Sequence, residues 1–160
     1  MKKSLLYILA IMPFALFSCL NDDDPEPFVP PTHAEEVQSI EDFLDARNIA
    51  YQSDTSGMRY YIDSVGTGPA PREGDTVSVR YTGFFPGGNV FDSNENGLPL
   101  EFVIGEGRVI RGFEYSVLKL NEGGAGTFFL PSRLAYGSTG GGPIPPYTII
   151  GFEVHLISVR

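Results

Sequence analysis

Apolar positions change period along this chain, and each change marks an element. From Ala34 to Ala50, Val37, Ile40, Phe43 and Leu44 recur three and four residues apart, with Glu35, Glu36, Glu41, Asp42 and Asp45 around them. That stripe predicts an amphipathic helix. Thr32 stands where a cap belongs, and Glu35 three residues later completes a capping box. The stripe has to bury somewhere, and packing on the chain's own domain is the expected outcome. After Asn48 the period falls to two. Met58, Tyr60 and Ile62 alternate with Arg59, Tyr61 and Asp63, and Val77, Val79 and Tyr81 alternate with Ser78 and Arg80. Both runs predict half-buried strands. Pro86-Gly-Gly-Asn89 suits a hairpin turn, and Leu100, Phe102 and Ile104 continue the alternation until Gly105. From Val109 to Leu120 the helical period returns through Ile110, Phe113, Val117 and Leu120, closed by Asn121-Glu-Gly-Gly124. Thr127 to Leu130 predicts another strand. A Gly/Pro-rich loop follows from Tyr136 to Tyr147, and Ile150, Phe152, Val154 and Leu156 line one face of a last strand. Many strands and one short central helix predict an α+β arrangement.

The first 33 residues belong to a different class. Lys2 and Lys3 precede an apolar run from Leu5 to Phe17, then Ser18 and Cys19, the layout of an export signal. The run is about 20 Å long as a helix, short of the roughly 30 Å hydrocarbon core, so a permanent span is not expected. Leu16-Phe-Ser-Cys19 resembles a bacterial lipobox, which implies lipidation at Cys19 and a membrane anchor without a spanning helix. An ordinary signal peptide with an incidental cysteine is the alternative. Residues 19–33 carry Asp22-Asp-Asp24 and four prolines by Pro31, a composition that cannot build a core and predicts a solvated tether. The acidic run either resembles a surface-export signal of Bacteroidetes-type lipoproteins or is a plain spacer. The expected organisation is therefore 1–18 signal peptide, 19–33 tether, 34–52 helical segment and 53–160 globular domain.

Bulk composition narrows the partners. Hydrophobic residues make up 42% of the 160, enough for a core, so disorder throughout is excluded. A net charge of -9 with no basic patch argues against nucleic acid. One cysteine permits no internal disulfide. The two histidines, His33 and His155, are too far apart in sequence to suggest a metal site, and Gly140-Gly-Gly142 lacks the residues of a phosphate loop. No nucleophile with an adjacent base and no paired catalytic carboxylates stand out. The informative stretches, Val79 to Ser93 and Gly105 to Glu114, offer aromatic and branched residues with single polar groups among them, a composition suited to a site that works by shape and desolvation.

Six short strings, Val79-Arg-Tyr-Thr-Gly83, Phe91-Asp-Ser93, Val109-Ile-Arg-Gly-Phe-Glu114, Leu134-Ala-Tyr-Gly137, Ile144-Pro-Pro146 and Phe152-Glu-Val-His-Leu156, occur in an order and spacing that resemble FKBP-type peptidyl-prolyl cis-trans isomerases. The resemblance covers about Gly57 to Arg160. It implies an FKBP-like fold, a curved antiparallel half-barrel sheet wrapped around one short helix, here with an additional N-terminal helix. It implies catalytic roles for Tyr81, Phe91, Asp92, Tyr136 and Phe152, and substrate contacts from Leu100, Val109, Ile110, Phe113 and Ile144. Asp92 would sit in an apolar wall with Tyr81 as its hydrogen-bond partner, and Tyr136 would donate its hydroxyl to a substrate carbonyl. Phe113 stands where the family usually has tryptophan at the pocket floor, and Leu100 where it has an aromatic. No arginine equivalent to one that often neighbours the aspartate stands in Asn94-Glu-Asn-Gly97. The loop after Gly137 lacks a histidine often found there, and Pro143 replaces a common isoleucine.

These departures imply weakened binding of macrolide inhibitors rather than lost isomerase activity. The resemblance implies proline-containing polypeptide as the substrate class and no need of a cofactor, and a lipid-anchored monomer on the periplasmic or surface face of the outer membrane of the cell envelope is expected. A chaperone or binding module that grips proline-containing segments without turning them over is the alternative.

Overall fold

The computed structural model describes residues 27–160. The predicted signal peptide, Cys19 and the acidic run of the tether lie outside the described residues. Helix α1 (His33–Asp45) begins at Thr32, whose hydroxyl accepts from Glu35 N while the Glu35 carboxylate accepts from Thr32 N, the expected capping box. His33, assigned by sequence to the tether, is the first residue of this helix. The helix stops well short of Ala50. Asn48 adopts a left-handed φ of 56°, a conformation asparagine tolerates, and Ile49 N donates to Leu44 O, so the chain reverses there.

Among the described residues, seven antiparallel strands form one sheet. In chain order they are β1 (Gln52–Ser53), β2 (Arg59–Ser64), β3 (Thr76–Phe84), β4 (Val90–Ser93), β5 (Leu100–Val103), β6 (Ala125–Leu130) and β7 (Ile150–Val159), with helix α2 (Arg111–Val117) between β5 and β6. The sheet runs β1-β2-β6-β7-β3-β4, and β5 also pairs with β3. One edge of β3 thus carries two partners. Residues 76–79 pair with β5 and residues 82–84 with β4. The loop between these two partners is held by Arg80, whose guanidinium donates to Asn94 O, Glu95 O and Gly97 O, and by Asn94, whose side chain accepts from Tyr81 N and donates to Val79 O.

Because strand side chains alternate, the sheet feeds two separate apolar clusters. Tyr60, Val77, Val79, Phe128, Phe152, Val154 and Leu156 face α2 and pack with Phe113, Val117 and Leu120. On the other face Tyr61, Phe84 and Phe129 pack with Ile40 and Leu44 of α1. The stripe of α1 therefore buries on its own domain. Two charged residues that local pattern places in solvent are covered by the same docking. Arg59 sits under α1, its guanidinium on the Glu41 carboxylate at 2.8 Å and on Met58 O at 3.1 Å. Glu36 is only 4% exposed.

Helix α2 is shorter than its apolar period suggests. Ile110 is already extended (ψ 147°) and has no side chain able to cap, while Lys119 and Leu120 finish in tight turns onto Ser116 O and Val117 O. The Glu114 carboxylate accepts from Gly105 N and fastens the connection from β5 to the helix. Among the described residues no helix is long and apolar enough to cross a membrane.

Candidate active site

A cleft of about 520 Å³ opens between α2 and the sheet, within the range of small-ligand sites. Its floor is Phe113 (3% exposed), with Phe152 of β7 (4% exposed) beside it, their ring centroids 5.0 Å apart and nearly perpendicular. Tyr81 of β3 meets both rings edge-on, at 5.3 Å and 6.0 Å, and Phe91 of β4 meets Phe152 at 5.8 Å. Such perpendicular contacts are the favoured aromatic geometry, so the cluster is a fixed surface rather than a loose greasy patch. Leu100, Val109 and Ile110 complete the apolar wall, the last of them extended just before α2.

The close approach of Phe91 needs a glycine behind it. A Cβ at Gly83 would lie 2.6 Å from the Phe91 ring and 2.9 Å from Phe152. Gly83→Ala should therefore cost about 1–3 kcal/mol as overpacking and move the Phe91 ring off its wall. Chemical denaturation and a structure of the variant check both parts. An unshifted ring at full stability would contradict the packing described here.

Polar groups are few: Tyr81, Asp92, Arg108 and Tyr136. The Tyr81 hydroxyl donates to Asp92 Oδ2 at 2.7 Å. The partnership is the one expected, but Asp92 is solvent-exposed and stands at the mouth, not within an apolar wall. Partial burial, followed by the bond to Asp92 and its negative charge, pushes the Tyr81 phenol up to about 12. Tyr136, at the rim, is likewise raised, first by burial and then by Asp92. Both phenols keep their protons far into the alkaline range and remain hydrogen-bond donors. A tyrosine held neutral when folded adds stability that is complete below its unfolded value near 10 and is lost as pH climbs through 12. Spectrophotometric titration of the phenols should thus show one transition near 12 that falls toward the ordinary tyrosine value in Asp92→Asn. A titration unchanged by that substitution would contradict the coupling.

Two lining residues, Gly107 and Arg108, were not singled out from sequence. Both precede α2 in a stretch with neither strand nor helix period. Ile144 is not among the lining residues: Gly141 and Ile144 exchange both main-chain hydrogen bonds in a tight turn, and the Ile144 side chain is buried in the core cluster (4% exposed) that also holds Phe113 and Phe152. The remaining residues singled out from sequence, Tyr81, Phe91, Asp92, Leu100, Val109, Ile110, Phe113, Tyr136 and Phe152, all converge on this one hollow.

Residues 68–157 match the family model described as FKBP-type peptidyl-prolyl cis-trans isomerase. The chain is 37% identical over 116 residues to the FKBP-type peptidyl-prolyl cis-trans isomerase FkpA of Aeromonas hydrophila, covering 72% of this chain and 42% of that protein. It is 42% identical over 107 residues to the outer membrane protein MIP of Legionella longbeachae, covering 66% and 45%. The crystal structure of FkpA from Escherichia coli aligns with a TM-score of 0.70 at 31% identity, covering 79% of this chain and 58% of that one. The chain spans less than half the length of these two curated relatives. Since the match takes in more than half of the chain and every wall of the cleft, this chain belongs to the FKBP-type peptidyl-prolyl cis-trans isomerase family.

Proposed function

We propose that the chain accelerates cis-trans isomerisation of X-Pro bonds by holding the bond in its twisted state. The observation that carries this reading is the cleft itself: five rings converge on it, and its polar groups are two protonated phenols, one exposed carboxylate and Arg108. Amide resonance sets a barrier of about 18–20 kcal/mol. Water favours the charge-separated planar form, so a dry apolar wall favours the twisted amide, whose carbonyl is less polar. Binding that state more tightly than either planar isomer is sufficient catalysis, and neither nucleophile nor general base is required. In this assignment Phe113 and Phe152 seat the proline ring and Phe91 closes the wall. Tyr81 and Asp92 fix each other at the mouth, and Tyr136 donates to the substrate carbonyl.

The substrates are flexible proline-containing segments of exported proteins, whose uncatalysed isomerisation takes tens to hundreds of seconds. A lipid on Cys19 would hold a monomer at the cell envelope. The leader pattern supports that placement, as does a relative named as an outer membrane protein. A protease-coupled assay on short X-Pro peptides tests the activity. Rates no better than buffer at micromolar protein, with peptide binding intact, would replace the isomerase by a binding module. Mass spectrometry of the mature amino terminus tests the anchor, and an unmodified terminus elsewhere would remove it.

A further inference from the structure

The rim residue Tyr136 is carried by the arch 131–137, and that arch is fastened to α1. Its hub is Ser132. The Ser132 carbonyl accepts from Ala135 N at 2.8 Å and from Gly137 N at 2.9 Å, the two residues that flank Tyr136. On its other side, Ser132 N and Oγ both donate to the Glu36 carboxylate, at 2.7 Å and 2.6 Å. Glu36 and Ser132 are both buried, 96 residues apart in sequence. A buried carboxylate with two short donors fixes the orientation of the peptide it grips far better than apolar contact does. The Tyr136 ring then rests against Gly141, where a Cβ would lie 2.7 Å from it, so the ring's reach into the cleft depends on where the arch stands. Glu36 lies outside the segment that matches the family model.

We propose that Glu36 is a positioning residue for Tyr136: through Ser132 it sets the rim hydroxyl at the height needed to meet the substrate carbonyl. The N-terminal helix thereby belongs to the cleft's machinery without touching it. The proposal rests on the isomerase reading above.

The test is a double-mutant cycle in the full chain, Glu36→Ala and Tyr136→Phe singly and together, with kcat and KM on an X-Pro peptide. Loss of one rim hydrogen bond should lower kcat/KM about three- to tenfold in each single variant, mostly in kcat. The double variant should be within about twofold of Tyr136→Phe alone, because the same bond is lost. Glu36→Gln keeps one acceptor oxygen and should recover part of the rate; if the alanine variant folds poorly, it carries the cycle. Full activity in Glu36→Ala, or penalties that multiply in the double variant, would overturn the proposal and leave Glu36 a stabilising residue only. Amide hydrogen exchange at Ala135 and Gly137 gives a readout independent of activity. It should quicken in Glu36→Gln, and unchanged exchange would overturn the proposal even in a protein that proved to have no isomerase rate. A wild-type protein with no rate over buffer would sink the isomerase reading alone.

Discussion

Phe152→Ala should lower stability by about 3–5 kcal/mol and cut prolyl isomerisation at least a hundredfold in the molecules that remain folded. Both effects have one origin. Phe152 touches Tyr81, Phe91 and Phe113, so its ring is the hub of the cleft's aromatic cluster. Its strand lies between β3 and β6 and is hydrogen-bonded on both sides, so the backbone cannot close over the hole that alanine leaves. Three rings would lose a face they pack against, and water would enter where the proline ring is to sit. Urea unfolding gives the stability term, with the slope expected to hold and the midpoint to fall. The protease-coupled assay gives the rate, at a protein concentration corrected for the folded fraction. A folded variant within threefold of wild type would mean that the cleft's walls are not the source of the rate.

Leu44→Ala should be nearly as costly for stability, about 2–5 kcal/mol, yet change kcat/KM per folded molecule by no more than about twofold. Leu44 is fully buried between α1 and the face of the sheet opposite the cleft, against Phe129, Tyr61 and Phe84. The grip of Glu36 on Ser132, two turns earlier on the same helix, is untouched by this change. Stability and activity therefore separate here, whereas they fall together at Phe152. A large loss of rate in folded Leu44→Ala would show that the whole helix, and not its Glu36 contact, governs the rim.

Much of the sheet was legible because the face turned to α2 is apolar at alternate positions, which writes period two directly into Met58–Ile62, Val77–Tyr81 and Ile150–Leu156. The cleft was legible through the spacing of short strings around Tyr81, Phe91, Phe113, Tyr136 and Phe152. What escaped was decided by partners far away in the chain. Glu36 and Arg59 read as solvated charges because nothing local announces that Ser132 and Glu41 will cover them. The end of α1 turns on one asparagine taking a left-handed conformation, and its apolar neighbours gave no sign of that. Ile144 pairs with Gly141 in a bridged turn and is buried in the core, a position that its neighbours in sequence do not announce.

A floor made of Phe113 alone has a chemical corollary. Benzene carbon offers no donor, so every polar demand of a bound ring must be met at the edge, near Tyr81, Asp92, Arg108 and Tyr136. A proline bearing a hydroxyl that points downward would strand that group over hydrocarbon, at a cost of about 1–3 kcal/mol. On the proposed function, such a cup would discriminate by what it refuses, and collagen-like hydroxylated sequences should be among its poorest guests.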